Sequence, residues 1–312
     1  MLVAGVMIVR DEEDILAINL KHHLRVVDRI LVIDNGSTDS TPGILRHFAR
    51  RHPQLQWTTD DGEYLQAKML TALAQQAYGE GADWVVSIDA DEFWRTSTSE
   101  PLGVLLSRIP DDVGALQVPV INYVQVRWVD RRTRRSLLTM TRRSPSPVGP
   151  PESAAGLVEL HHVSYVEAEY APKLICRTGE DLAIGLGNHH ATGIAGSVVT
   201  TEDIVCMHAP LRARENLLMR AASGHRVENA DFGEGTAWQP RRWASLDTEQ
   251  LDAEWRANSY DDLALDVYGF EHEVVIDTQL RDTVLPHFSM WDRGVASLAW
   301  RRNQRALAAS RR

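Results

Sequence analysis

A chain of 312 residues, 44% of them hydrophobic, is long enough to bury a substantial core as one large domain or two small ones. Its formal charge of −10 argues against a general nucleic-acid binder, which would carry a basic face. Two cysteines, Cys176 and Cys206, exclude a disulfide framework and a cysteine-rich zinc site. They read as small buried hydrophobes, compatible with a reducing cytoplasm.

The apolar residues 2–9 have no basic leader and no cleavage site, so they read as a first buried strand rather than a signal peptide. No run of about 18 apolar residues occurs, and no membrane span is expected. Residues 11–24 read as a helix, with Leu16, Leu20 and Leu24 on one face and acids in the first turn, where the helix dipole favours them. Residues 30–33 form a second strand and 34–39 a polar turn. Thr41 is then a candidate N-cap, with Pro42 opening a helix. A weaker strand at 55–58, a helix at 63–78, a strand at 84–88 and another at 113–120 follow. This alternation predicts a mainly parallel sheet with helices on both faces.

After Val126 the composition changes. Residues 127–143 hold Arg127, Arg131, Arg132, Arg134, Arg135, Arg142 and Arg143, and a Pro/Ser/Gly-rich segment continues to 156. The stretch 127–156 reads as a mobile surface excursion, with a basic lid over an anionic substrate or a phospholipid surface as the sharper alternative. Strands are expected at 163–167, 173–177 and 204–207, and a helix at 212–222. The expected organisation is 1–125, 126–240 and a helical extension at 241–312.

The informative stretch is Trp84 to Phe93, a buried-strand pattern that ends in Asp89-Ala90-Asp91-Glu92. With 43 acids in the chain, roughly six acid-x-acid triplets arise by chance, so the bare motif is weak. Its place at the carboxyl end of a strand raises it, because open α/β sheets bind ligands at that edge. Two carboxylates there can share a hard divalent cation that holds a diphosphate. The ends of the first two strands, Arg10-Asp11-Glu12 and Asp34-Asn35-Gly36, belong on the same edge. A simple Asx/Gly turn is the plainer reading of Asp34-Asn35-Gly36 taken alone.

Residues 9–16 (VRDEEDIL), 34–41 (DNGSTDST) and 88–93 (IDADEF) resemble the family 2 type glycosyltransferases, in particular a subgroup with a VRNEADIL…DNGSTDGT…IDADEF pattern. Residues 173–177 (KLICR), 187–190 (GNHH) and His208-Ala-Pro-Leu-Arg212, followed by Leu217, Arg220 and Gly224, resemble its later blocks. The resemblance covers about residues 3–225. Asp11 replaces the usual Asn, Ala209 an aromatic, and Arg220 a Lys. It implies a Rossmann-like GT-A fold with a mixed acceptor-side region, a nucleoside-diphosphate sugar donor and Mn²⁺ or Mg²⁺. Asp91 would ligate the metal directly, Asp89 through water or by holding the ribose, and His208 would complete the set with His190 in reserve. Arg10, Glu12, Asp34 and Asn35 would line the base and ribose pocket. Lys173 belongs with the donor-binding residues, and Arg212 and Arg220 would neutralise the leaving diphosphate. An inverting hexosyltransferase needs a carboxylate base, for which Glu202, Asp203, Asp181 and Glu180 are candidates. The acceptor is a carbohydrate, a lipid-linked or a small molecule. A cytoplasmic protein, with room for peripheral contact at the inner membrane face, is the expected setting.

Two other readings stay open. A sugar-phosphate nucleotidyltransferase would share the sheet and the metal, but Arg10 to Asp14 occupies the place of its glycine-rich phosphate loop. A non-catalytic nucleotide- or carbohydrate-binding module would use the same acids without turnover. Neither GxGxxG nor GxxxxGK[ST] occurs, which disfavours dinucleotide dehydrogenases and P-loop enzymes.

Overall fold

The computed structural model of the chain describes residues 1–145, 149, 158, 164–223, 238–260 and 274–294. The main sheet has seven strands. In chain order they are β1 (Val3–Val9), β2 (Arg29–Asp34), β3 (Leu55–Thr59), β4 (Trp84–Ser87), then, after β5 (Glu92–Thr96), β6 (Val113–Val118). Beyond β7 (Val120–Val126) and β8 (Arg142–Arg143), β9 (Lys173–Arg177) and β12 (Ser197–Thr200) complete it, with β10 (Ala183–Ile184) and β11 (Ala191–Thr192) forming a small hairpin between them. The spatial order is β12-β6-β9-β4-β1-β2-β3. β4, β1, β2 and β3 run parallel, whereas β9 is antiparallel to both neighbours.

Alternation along β1 divides the core. Val3, Met7 and Val9 face one hydrophobic layer, and Ala4 and Val6 face the other. The first layer is covered by α1 (Leu16–His23), α2 (Thr41–Ala49) and α4 (Leu102–Leu106), the second by α3 (Gln66–Gly79). Gly5 allows the tight approach of the strand beneath the acid turn: a Cβ there would lie 2.7 Å from Ile88 Cδ1.

A second sheet stands beside the first. It joins β5, β7, β8, β13 (Ile204–His208), β14 (Ser259–Tyr260) and β15 (Val275–Ile276). β7 runs across the expected boundary at 125/126. On this sheet pack α5 (Arg214–Ser223), α6 (Trp238–Ala244) and α7 (Thr248–Ala257), with Trp243 and Trp255 buried in the same cluster as Val124 and Leu217. The short helix α8 (Gln279–Val284) packs its Leu280 and Val284 into the main core.

Several expected elements shift. The first helix begins at Leu16 rather than at 11, because Asp11 adopts φ +52 and spends its carboxylate on the 38–39 backbone N–H groups. Thr41 is a helical residue rather than a cap, and its hydroxyl accepts the Glu12 N–H at 2.9 Å. Helix α3 starts at Gln66, after a non-helical Leu65. Residues 165–167 form a turn closed by Ser164 and Glu167, not a strand. β5 and β12 are among the strands that the sequence pattern does not announce. The described part of the arginine-rich stretch is folded in: Arg132 donates to the Asp11 carbonyl, Arg134 and Arg135 to Asp292, and Arg143 to Asp277. The remainder of the excursion at 146–148 and 150–156, Gly224, and residues 261–273 and 295–312 of the C-terminal extension lie outside the described residues. Among the described residues no helix is long and apolar enough to cross a membrane.

Candidate active site

Register puts the strand ends on one edge. Val9 pairs with Asp34 and Val6 with Ser87, so Arg10, Asn35 and Asp89 all follow strands that end together. Because β9 is antiparallel, its first residue, Lys173, lies on this edge as well. His208 reaches it from β13, opposite Glu92.

The turn after β4 sends its two aspartates to different partners. The Asp89 carboxylate accepts from Lys173 Nζ at 2.9 Å and from Asn188 Nδ2 at 3.4 Å. The same ammonium lies 2.8 Å from Glu92, whose side chain is almost fully buried. The Asp91 carboxylate accepts from Arg220 at 2.6 Å, with Arg212 at 3.7 Å and His208 Nε2 at 3.6 Å. Burial alone would raise the Asp91 pKa; His208, Arg220 and Arg212 overturn it and hold the group far below the ordinary carboxylate range. Arg212 is itself buried, gripped by Asp14 and by Glu12 at 2.7 Å. Burial pushes Glu12 up to about 7 against the pull of Arg212.

Arg10 reaches the same edge and donates to Asn35 Oδ1 at 3.5 Å. Asp34 and Asn35 serve the turn itself: Asp34 accepts from the Ser37 backbone, and Asn35 Nδ2 donates to the Asp60 carbonyl at 2.8 Å. Gly36 sits at φ +67, where the turn needs glycine. The plainer reading of that triplet therefore describes most of its bonds.

Four expected residues stand elsewhere. Glu202 and Asp203 are exposed at the start of β13, where Ile204 faces Thr96. At ~3.3 Å per residue, Asp203 is separated from His208 by roughly 16 Å. Glu180 and Asp181 follow the far end of β9, where Arg177 pairs with Trp84. All four are remote from the acid turn because their strands run towards or away from it, which charge and spacing alone do not reveal. His190 is exposed and its ring covers Gly185; a Cβ on that glycine would lie 2.1 Å from His190 Nε2. It is His189 that approaches Lys173, and burial, then Lys173, lowers its pKa to about 4.

Residues not singled out from sequence complete the site. Asn122 fixes His208, Asp14 grips Arg212, and Tyr165 is buried within the field of Arg220 and Asp91, its hydroxyl pushed up to about 12 chiefly by burial. Asn188, at φ +63, keeps a buried Oδ1 with no protein partner among the described residues. A buried polar residue on an apolar pattern was the available signal.

Residues 6–161 match the family described as Glycosyl transferase family 2, which is half of the chain. The chain belongs to that family. Its mainly parallel sheet flanked by helices is the architecture the GT-A resemblance implied. It is 34% identical over 112 residues to the uncharacterized protein Rv3786c of Mycobacterium tuberculosis, covering 33% of this chain and 25% of that protein. The chain thus spans about a quarter of the length of that curated relative. Among solved structures it is similar to S. aureus TarS in complex with UDP-GlcNAc (15% identity, TM-score 0.43, 82% of this chain and 71% of that one). It is also similar to the mannosyltransferase PcManGT from Pyrobaculum calidifontis in complex with GDP-Man and Mn²⁺ (16% identity, TM-score 0.41, 95% and 79%).

For a metal, the donor set is small: among the described residues no group of three or more His, Cys, Asp or Glu side chains is arranged to hold an ion. Asp91 and His208 nevertheless form a pair suited to one. The amide oxygen of Asn122 can only accept, so His208 Nδ1 carries a proton and donates to it at 2.7 Å. That leaves Nε2 3.6 Å from the Asp91 carboxylate, where the two side chains could share a cation.

Proposed function

We propose that this member of the family transfers a hexosyl group from a nucleoside-diphosphate sugar to an acceptor hydroxyl, with inversion and with the help of a divalent metal. The observation that carries the reading is the edge at the end of β4, where Asp89 and Asp91 are held among Lys173, Arg212, Arg220 and His208. Departure of a nucleoside diphosphate puts negative charge on its β-phosphate, and fixed cations in a buried site stabilise that charge without reorganising. Arg220 and Arg212 are the groups assigned to it. Arg10, Glu12, Asp34 and Asn35 are assigned to the base and ribose, with the backbone of the Asp34 turn as the rigid support.

Asp91 and His208 would hold Mn²⁺ or Mg²⁺, with Asp89 acting through water, and the bound ion would supply further positive charge to the diphosphate. Arg220, which takes Asp91 in the free chain, can turn to the phosphates. An inverting transfer also needs a carboxylate to take the acceptor proton. In this reading it comes from the edge that holds Asp91 rather than from Glu180, Asp181, Glu202 or Asp203, which stand at the other ends of their strands.

The test is a thermal-shift and turnover screen of UDP and GDP sugars with and without Mn²⁺, run on the wild type and on Asp91→Ala. Stabilisation by one nucleotide, strengthened by the metal, is expected. Asp91→Ala should lower kcat/KM about a thousandfold, equivalent to ~4 kcal/mol. Wild-type turnover in that variant would remove Asp91 from the mechanism. Release of pyrophosphate from a nucleoside triphosphate and a sugar phosphate would replace the reading with nucleotidyl transfer.

A further inference from the structure

Helix α1 carries two side chains that an apolar face would not require. Asn19 and His23 are fully buried, among Ile18, Leu20 and the aromatic rings of β5. A buried amide that finds no hydrogen-bond partner destabilises the fold. The Asn19 partners are unusual: its Nδ2 lies 3.3 Å from the Asp89 carbonyl, 2.9 Å from that of Ala90 and 2.9 Å from that of Glu92. One side-chain amide therefore gathers the backbone of the acid turn, between the end of β4 and the start of β5.

His23 fixes which way that amide points. The Trp94 backbone N–H donates to His23 Nε2 at 3.4 Å, so the ring proton sits on Nδ1. Nδ1–H then donates to Asn19 Oδ1 at 2.9 Å, which leaves the Asn19 NH₂ facing the turn. Burial keeps this imidazole neutral, so the single ring proton stays where the relay needs it. Hydrogen bonds thus run one way, from the β5 backbone through His23 and Asn19 to the turn that bears both aspartates.

The turn needs such an anchor because its side chains pull apart. Asp89 is drawn to Lys173 and Asp91 to Arg220. What keeps both carboxylates on one edge is the backbone between them, and two of its carbonyls also bind outside the turn's own side chains: Glu92 N–H donates to the Asp89 carbonyl and Ala209 N–H to that of Asp91.

We infer that Asn19 and His23 are positioning residues of the donor site, a buried relay that clamps the 89–92 backbone and sets the directions in which Asp89 and Asp91 present their carboxylates. The inference rests on the nucleotide-sugar reading for its consequence, and on the hydrogen bonds for its geometry.

The experiment uses the full chain and five variants: Asn19→Ala, Asn19→Asp, His23→Asn, His23→Leu and, as a stability control on the same helix, Leu20→Ala. Calorimetry with UDP-GlcNAc and GDP-Man in Mn²⁺ is paired with thermal melting and with amide exchange at Glu92 and Ala209. Asn19→Ala and Asn19→Asp are expected to weaken the sugar nucleotide that wild type binds by roughly ten- to a hundredfold, the range seen when a supporting hydrogen bond to a ligand group is removed. Leu20→Ala should melt as early yet keep wild-type affinity. His23→Asn, which retains an N–H where Nδ1 was, should stay within about threefold of wild type, while His23→Leu follows Asn19→Ala. Should Asn19→Ala fail to fold, the two His23 variants carry the same comparison. Equal affinities in Asn19→Ala and Leu20→Ala, or in His23→Leu and His23→Asn, would overturn the relay. If wild type binds neither sugar nucleotide, the functional reading is in question and amide exchange decides the relay alone. Faster exchange at Glu92 and Ala209 in Asn19→Ala than in Leu20→Ala supports it; equal exchange overturns it.

Discussion

Lys173→Met separates what the site costs the fold from what it gives to binding. The Lys173 ammonium is buried between Glu92 Oε1 at 2.8 Å and Asp89 Oδ2 at 2.9 Å. The two acids differ in exposure: the Asp89 side chain is 36% exposed and the Glu92 side chain 1%. With the ammonium gone, Asp89 can turn to water and Glu92 cannot. Breaking a buried pair in this way costs about 3–5 kcal/mol, a large part of the ~5–15 kcal/mol that holds a domain folded. Burial already raises the Glu92 pKa against the pull of Lys173. In the variant it rises further, so the deficit is largest above the folded-state pKa and shrinks as acid protonates Glu92. Adding Glu92→Gln removes the orphaned charge, and its amide oxygen can still accept the Asp89 N–H that Glu92 takes at 3.2 Å. The double variant should regain about half the loss or more, a coupling of ~2 kcal/mol measurable by urea unfolding followed through tryptophan fluorescence. Donor affinity should stay low in both, because among the described residues the Asp89 carboxylate then keeps only the Asn188 amide. A double variant no more stable than Lys173→Met would refute the ion-pair accounting, and wild-type donor affinity in the double variant would take Lys173 out of the site.

Stability in mild acid should depend on His22. Its Nε2–H donates to the Trp94 carbonyl at 2.7 Å, and burial, aided by Arg25 and Arg95, lowers its pKa to about 4. Between about 4 and the ordinary 6.5 the unfolded chain binds the extra proton, so this contribution is lost as pH falls through 6.5; from pH 7 to pH 5 the loss is about 2 kcal/mol. His22→Gln keeps a donor without titrating, so its unfolding free energy should fall by that much less over the same interval; the opposing contribution of Glu12 is common to both chains. Equal slopes would mean that His22 is already charged in the fold. Glu202→Ala and Asp203→Ala, singly or together, should leave kcat within about twofold, and a loss above tenfold in steady-state assays would mean that the far end of β13 reaches the acceptor.

The strands were legible because their chemistry is local. Val85, Val86 and Ile88 read as a buried strand whichever chain surrounds them, and Asp89 and Asp91 read as its polar end. Hidden from sequence was whatever depended on strand direction. β9 runs against β4, so Lys173 arrives at the acid edge while Glu180 and Asp181 leave it, though all lie within nine residues of one another. β13 runs towards the edge, so His208 arrives and Asp203 stays behind. The same blindness explains the arginines, whose run of charge reads as a solvated surface until Arg132 is seen reaching back to Asp11 and Asp14. The signal that could have been used was the misplaced polar residue. Asn19 interrupts an apolar helical face, and Glu92 stands between a buried turn and Phe93; each is costly in a core unless something there needs it. In this chain both contact the same turn, Asn19 through its carbonyls and Glu92 through the Asp89 N–H. Buried polarity at a strand end therefore points to the site's framework, while the exposed acids Glu180, Asp181, Glu202 and Asp203 stand at the other ends of their strands.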